Sequence, residues 1–214
     1  MTQEETIFEE IKNLIPSFET FENRIIAHVQ NDYFPLIYQC LYEWITPPNQ
    51  SQFSTENFKK LLNNNYLRLL NDIYRTRISE KAFDIILEGL DKVKDFNDYE
   101  VVLKQFKGCN PRGSKNVNAF SLGTKVLHTY NPKENPIMDS VIRENLKIKS
   151  QLDIDLCLNF KKAMNRFANE YKGYFSSFRK SNRIKDEFKK FHLKLKFPKM
   201  KILDMALYYN EDGK

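Results

Sequence analysis

Apolar residues recur at helical spacing along nearly the whole chain. Ile7, Ile11, Leu14 and Ile15 form a first stripe that Pro16-Ser17 interrupts, and a second runs from Phe21 to His28. A third follows Pro35 through Leu36, Ile37, Cys40, Leu41 and Trp44, after which Thr46 to Gln52 is a loop. Caps at Ser54 or Thr55 begin a run through Phe58, Leu61, Leu62 and Tyr66 to Leu70, and Ile78-Ser79 begins Phe83, Ile86, Leu87 and Leu90. Asp98 to Phe106 is a further helix, and Leu152 to Tyr174 a long one. The end, Lys201 to Tyr209, is a helix docking its apolar side. The pattern predicts an all-α, multi-helix protein: one helical domain over 1–214, with two lobes, 1–107 and 108–214, flanking a cleft.

Two stretches break the pattern. Cys109 to Val117 is rich in turn residues and carries Arg112 and Lys115, so it reads as a basic loop able to touch phosphates through its amides, or as a plain connector. The segment Phe120 to Asp139 is denser in chemistry than any other. Gly123 is one of only six glycines, which suggests close backbone approach or an unusual torsion there. Thr124 to Tyr130 reads as a short helix that starts at Ser121 or Gly123 and ends before Asn131-Pro132. Asp139 is placed to cap a helix over Ser140 to Ile148. Lys125 and Asp139 would then stand at the starts of two successive helices facing one cleft.

Charge and composition narrow the function classes. Seventeen Phe and 11 Tyr supply an ample interior. Met1 to Glu10 holds four glutamates and no basic residue, unlike a secretory or transit signal, and no apolar run approaches the ~18 residues of a membrane span. Three dispersed cysteines fit a reducing cytoplasm, and no metal or cofactor site is expected. The net charge of +6 is concentrated: Arg179 to Lys201 holds ten Lys or Arg against Asp186 and Glu187, a net of +8. That segment, Lys189 and Lys190 included, interleaves aromatics with lysines as phosphate-backbone binding requires, or is a solvated face; its alternation around Lys194 is also compatible with one short strand. Trp44 and its aromatic neighbours read as core, or as a wall for stacked bases.

Ser121-Leu-Gly-Thr-Lys-Val126, followed by Pro136-Ile-Met-Asp139 and a helix carrying Arg143, resembles the helix-hairpin-helix DNA glycosylases over roughly residues 117 to 148. Ser121 stands where the first hairpin glycine of that family belongs, and the Lys125 to Asp139 interval is about one helical turn short. The resemblance implies base excision from duplex DNA with the base flipped out of the stack, Lys125 as nucleophile and Asp139 as catalytic carboxylate. It also implies a turn at Ser121, Gly123 and Thr124 that holds a phosphate through its amides, with Arg143 nearby. Each residue also has a plainer reading: Asp139 as an N-cap only, Lys125 as a solvated charge, and His128, three positions on, as a histidine bonded to backbone rather than one that tunes Lys125. The alternative function is a non-catalytic nucleic-acid-binding or protein-interaction module. A metal-dependent nuclease is disfavoured, because Asp153 and Asp155, a close carboxylate pair, fall on different helix faces. Oligomeric state is left open.

Overall fold

Short polar side chains set the helix starts. Thr2 forms a reciprocal capping box with Glu5, and the side chains of Ser17, Ser54, Asn63, Asp98, Asp139, Asp153 and Ser181 each accept an amide of the first turn. The computed structural model describes residues 1–45, 53–112 and 115–209. Within them lie α1 Gln3–Leu14, α2 Phe18–Asn31, α3 Phe34–Ile45, α4 Thr55–Leu61, α5 Asn64–Ile73, α6 Glu80–Asp91 and α7 Tyr99–Lys104. A hairpin of β1 Asn110–Arg112 and β2 Lys115–Val117 follows. Then come α8 Phe120–Tyr130, α9 Ser140–Asn145, α10 Ile154–Glu170, α11 Lys172–Lys180, α12 Asn182–Lys189 and α13 Lys199–Tyr208. The all-α expectation holds, and none of the described helices is long and apolar enough to cross a membrane.

Several boundaries differ from the sequence reading for local reasons. The run expected from Ser54 to Leu70 breaks after Leu61, because Asn63 caps a new helix by accepting the Tyr66 amide at 3.0 Å. The long helix expected over Leu152 to Tyr174 breaks at Tyr171, which ends α10 and precedes α11. The basic turn-rich loop is an antiparallel hairpin with Asn110 opposite Val117 and Arg112 opposite Lys115. Around Lys194 there is no strand; the Lys196 amide instead donates to the buried Gln39 side chain at 3.0 Å. The expected Thr46 to Gln52 loop and the Trp44 side chain lie outside the described residues.

One contiguous cluster of buried apolar side chains runs from Ile7 to Tyr209. Helix α1 lies along α10, α8 packs on α5 and α7, and α13 packs on α9 and α10. Helices α8 and α13 are therefore the innermost: apart from Ser121, every residue of α8 is buried, and so are Met200 to Leu207 of α13. A polar side chain on either helix must find its partners inside the protein.

Candidate functional site

Helix α8 owes its depth to Gly123. A Cβ there would stand 2.8 Å from Phe106 Cδ2 and 2.9 Å from Leu103 Cδ2, so glycine is what lets α7 and the turn after it lie against α8. The expectation of close approach is met. The expectation of a turn is not: α8 begins at Phe120, and the Leu122 and Gly123 amides both donate to the Ala119 carbonyl. Ser121 to Thr124 is helix, with Gly123 and Thr124 buried, so this stretch is not an exposed amide turn for a phosphate. For the same reason Lys125 sits mid-helix rather than at a helix start.

Thr124 joins this helix to the segment that carries Asp139. Its hydroxyl oxygen accepts the Met138 amide at 3.2 Å and lies 3.0 and 3.2 Å from the Ser121 and Met138 carbonyls. One residue further along each strand of chain, Lys125 Nζ stands 3.8 Å from Asp139 Oδ2. The carboxylate divides its oxygens: Oδ1 accepts the Ile142 amide at 3.1 Å and caps α9, while Oδ2 faces the lysine. The capping and chemical readings of Asp139 are thus compatible. The Lys125 side chain is 0% exposed, and its amine donates to Ser121 Oγ at 2.8 Å and to the Ser121 carbonyl at 3.3 Å. It is not a solvated charge. Burial lowers its pKa, an effect that Asp139 and Asp204 oppose and Lys201 reinforces.

A second buried ion pair lies beside the first. On α13, Lys201 and Asp204 are 1% and 4% exposed and bonded to each other. Tyr74 lies between the two lysines, its ring centre 5.3 Å from Lys125 Nζ and 5.4 Å from Lys201 Nζ. Lys201 Nζ is also 3.5 Å from the centre of the Tyr38 ring, which stacks on Tyr74. Burial raises the Asp204 pKa, against the opposing pull of Lys201. The sequence reading took α13 only as an apolar docking helix. The available signal was two charges three positions apart in the otherwise apolar run from Met200 to Leu207.

Ser121 and Asp139 open onto a cleft of about 650 Å³, with Lys125 directly behind them. Among the described residues four arginines line it, Arg75, Arg77, Arg112 and Arg143, against the single carboxylate of Asp139. The rings of Phe34, Tyr38, Tyr74, Phe120 and Tyr208 supply apolar wall. Arg112 and Arg143 were foreseen as binding residues; Arg75 and Arg77, between α5 and α6, were not. His128 is fully buried, with Nδ1 2.5 Å from the Asn135 carbonyl, and burial pushes its pKa down to about 3. It is a neutral, backbone-bonded ring that donates from Nδ1.

The remaining expected cations lie elsewhere. Lys115 is exposed on β2 and does not line the cleft. Lys189 and Lys190, exposed at the end of α12, pair with Asp186 at 3.0 Å and Glu187 at 2.7 Å. Arg183 pairs with Glu22 on α2, and Lys201 is buried, so the basic run from Arg179 to Lys201 is not one continuous face. Asp153 caps α10 and Asp155 is exposed. Among the described residues no three His, Cys, Asp or Glu side chains gather as metal ligands would. Comparison of the chain with family models, with curated proteins and with solved structures finds no match.

Proposed function

We propose that the protein is a DNA glycosylase-like enzyme that removes a damaged or modified base, with Lys125 as nucleophile and Asp139 as its carboxylate partner. The observation that carries this reading is the 3.8 Å approach of a buried amine to a carboxylate that lines an arginine-bearing cleft. A lysine attacks only as the free amine, and burial favours that form. Aromatic walls suit a base taken out of the stack. The reading sets the protein in a reducing cytoplasm, where its thiols Cys40, Cys109 and Cys157 stay free.

The steps follow from these groups. The glycosidic bond breaks with its electron pair passing to the base, which takes up a proton, while Asp139 stabilises the positive charge growing on the sugar. Lys125 Nζ bonds to C1′ and gives a proton to Asp139 Oδ2, and the sugar ring opens to an imine. Water then releases the lysine, or loss of a C2′ proton to water expels the 3′ phosphate and cleaves the strand first. For attack, the Ser121 hydroxyl that holds the amine must turn aside. The enclosure of Lys125 is also what favours the second reading, a binding module in which this lysine is structural.

Borohydride trapping separates the two. Incubation with duplexes carrying an abasic site or a panel of altered bases, followed by reduction, should give a covalent adduct that Lys125→Gln abolishes. Asp139→Asn keeps the cap on α9, since asparagine caps as well as aspartate, and should retain DNA binding while losing turnover. No adduct, no released base and an indifferent Asp139→Asn would leave the binding module.

A further inference from the structure

The backbone between α5 and α6 is held in an unfavoured shape beside the cleft. Arg75 and Arg77 have φ of +49° and +58°, in the left-handed region where a Cβ is crowded. Side chains from both ends hold it there. Asn71 Oδ1 accepts the Thr76 hydroxyl at 2.6 Å and the Ile78 amide at 2.8 Å, and the Thr76 amide donates to the Asn71 carbonyl at 3.0 Å. Beyond it, Asn110 of the hairpin accepts the Ser79 amide and hydroxyl at 3.1 and 3.0 Å. Strain of this kind persists where the surroundings over-determine it, and it collects at ligand sites.

Its effect is to turn two arginines to the cleft. The Arg75 guanidinium lies 5.7 Å from the Phe34 ring centre, and Arg112 Nη2 approaches the Arg77 carbonyl at 3.5 Å. From α9, Arg143 adds a fourth guanidinium whose Nε is buried without a hydrogen-bond partner. No described carboxylate forms an ion pair with any of these four arginines, and Asp139, the one acid among the described residues that line the cleft, faces Lys125. A guanidinium presents paired N–H donors that match phosphate oxygens, so three elements here offer anion-binding forks that no described carboxylate pairs with.

We infer that Arg75 and Arg77, with Arg112 and Arg143, form a phosphate clamp that takes the backbone of a DNA strand across the mouth of the cleft. The clamp supplies the phosphate contacts that the helical Ser121 to Thr124 stretch does not. Only the choice of DNA as the strand rests on the base-excision reading.

The test is fluorescence anisotropy of a labelled duplex with a tetrahydrofuran abasic analogue, which cannot be excised, over a salt series. The double variant Arg75→Asn/Arg77→Asn removes both charges while keeping the residue type that best tolerates left-handed backbone after glycine, and thermal melting checks its fold. Its affinity should fall about tenfold or more, and the slope of log affinity against log salt should drop by about 1.8, or ~0.9 per lost phosphate contact. Arg112→Gln, a change at the exposed end of β1, should drop it by ~0.9. Lys92→Asn/Lys94→Asn, exposed and outside the cleft, should change neither. Slopes unchanged in both arginine variants, or no salt-dependent binding by the unaltered protein, would overturn the clamp. Binding lost in the variants, with no adduct trapped by the unaltered protein, would uphold the clamp and defeat base excision.

Discussion

Thr124 and Met138 clasp each other through one hydroxyl, which accepts the Met138 amide and faces its carbonyl, both at 3.2 Å. Their next neighbours are Lys125 and Asp139, so this contact fixes the distance between the amine and the carboxylate. Thr124→Val keeps the shape and removes the acceptor, leaving the Met138 amide buried and unpaired. That should cost about 1–3 kcal/mol in urea unfolding, with Thr124→Ser restoring most of it. Base-excision turnover should fall by more than the stability change explains, because Asp139 loses its tether.

A charge on Lys125 comes at the expense of stability. The ammonium is enclosed, its nearest carboxylate oxygen is 3.8 Å away, and Ser121 is its closest hydrogen-bond partner. Lys125→Met/Asp139→Asn, which removes both charges and keeps the α9 cap, should therefore raise stability by roughly 1–3 kcal/mol, as replacing a buried ion pair by uncharged side chains often does, while abolishing the trapped adduct. The pH dependence has a definite sign. Between the lowered pKa of Lys125 and 10.5 the unfolded chain holds a proton that the folded chain lacks, so stability rises with pH through that window. The double variant should lose this rise. A variant less stable than the parent would mean that Ser121 and Asp139 together offset the desolvation of the amine.

What was legible in the chain was local. The caps at Ser54 and Asp139 act on amides three residues away, and each is read from one short string. The Lys125 and Asp139 pair was visible because both residues belong to one short segment. The other parts of the site come together only in the fold. Lys201 and Asp204 read as incidental charges on a docking helix until α13 is buried against α9 and α10. Nothing in Tyr74-Arg-Thr-Arg-Ile78 announces positive φ at two arginines, since the residues that hold them there include Asn110, from a different element. In the basic run at Arg179 to Lys201, composition counts charges without showing that Arg183, Lys189, Lys190 and Lys201 already have acidic partners.

Gly123 gives a test of packing that helix propensity alone would answer wrongly. In an open helix, alanine is favoured over glycine by up to about 1 kcal/mol. Here the added methyl would collide with Phe106 and Leu103, both fully buried and unable to withdraw to solvent. Gly123→Ala should destabilise by about 1–3 kcal/mol, the usual range for overpacking, and push α8 away from α7. Loss of stability on thermal melting, relieved in part by Leu103→Ala in the same chain, is the expected result.

His128 should make the protein sensitive to acid well above the pH at which carboxylates titrate. The unfolded chain binds a proton at this imidazole below about 6.5, whereas burial keeps the folded ring neutral down to about 3. Between those values the unfolded state holds more protons, so stability is fully present above pH 6.5 and declines as pH falls toward 3. A shift of that size, at a fully buried site, corresponds to at most about 5 kcal/mol. The Nδ1–H bond to the Asn135 carbonyl fixes the end of α8 to the loop that leads to Asp139 and by itself favours the charged ring, but burial outweighs it. Urea unfolding at intervals from pH 7.5 to 4 should show the decline. His128→Gln, which has no charge to gain, should start from lower stability at pH 7.5 and lose less of it on acidification. Parallel curves for the two proteins would assign the acid sensitivity to other groups.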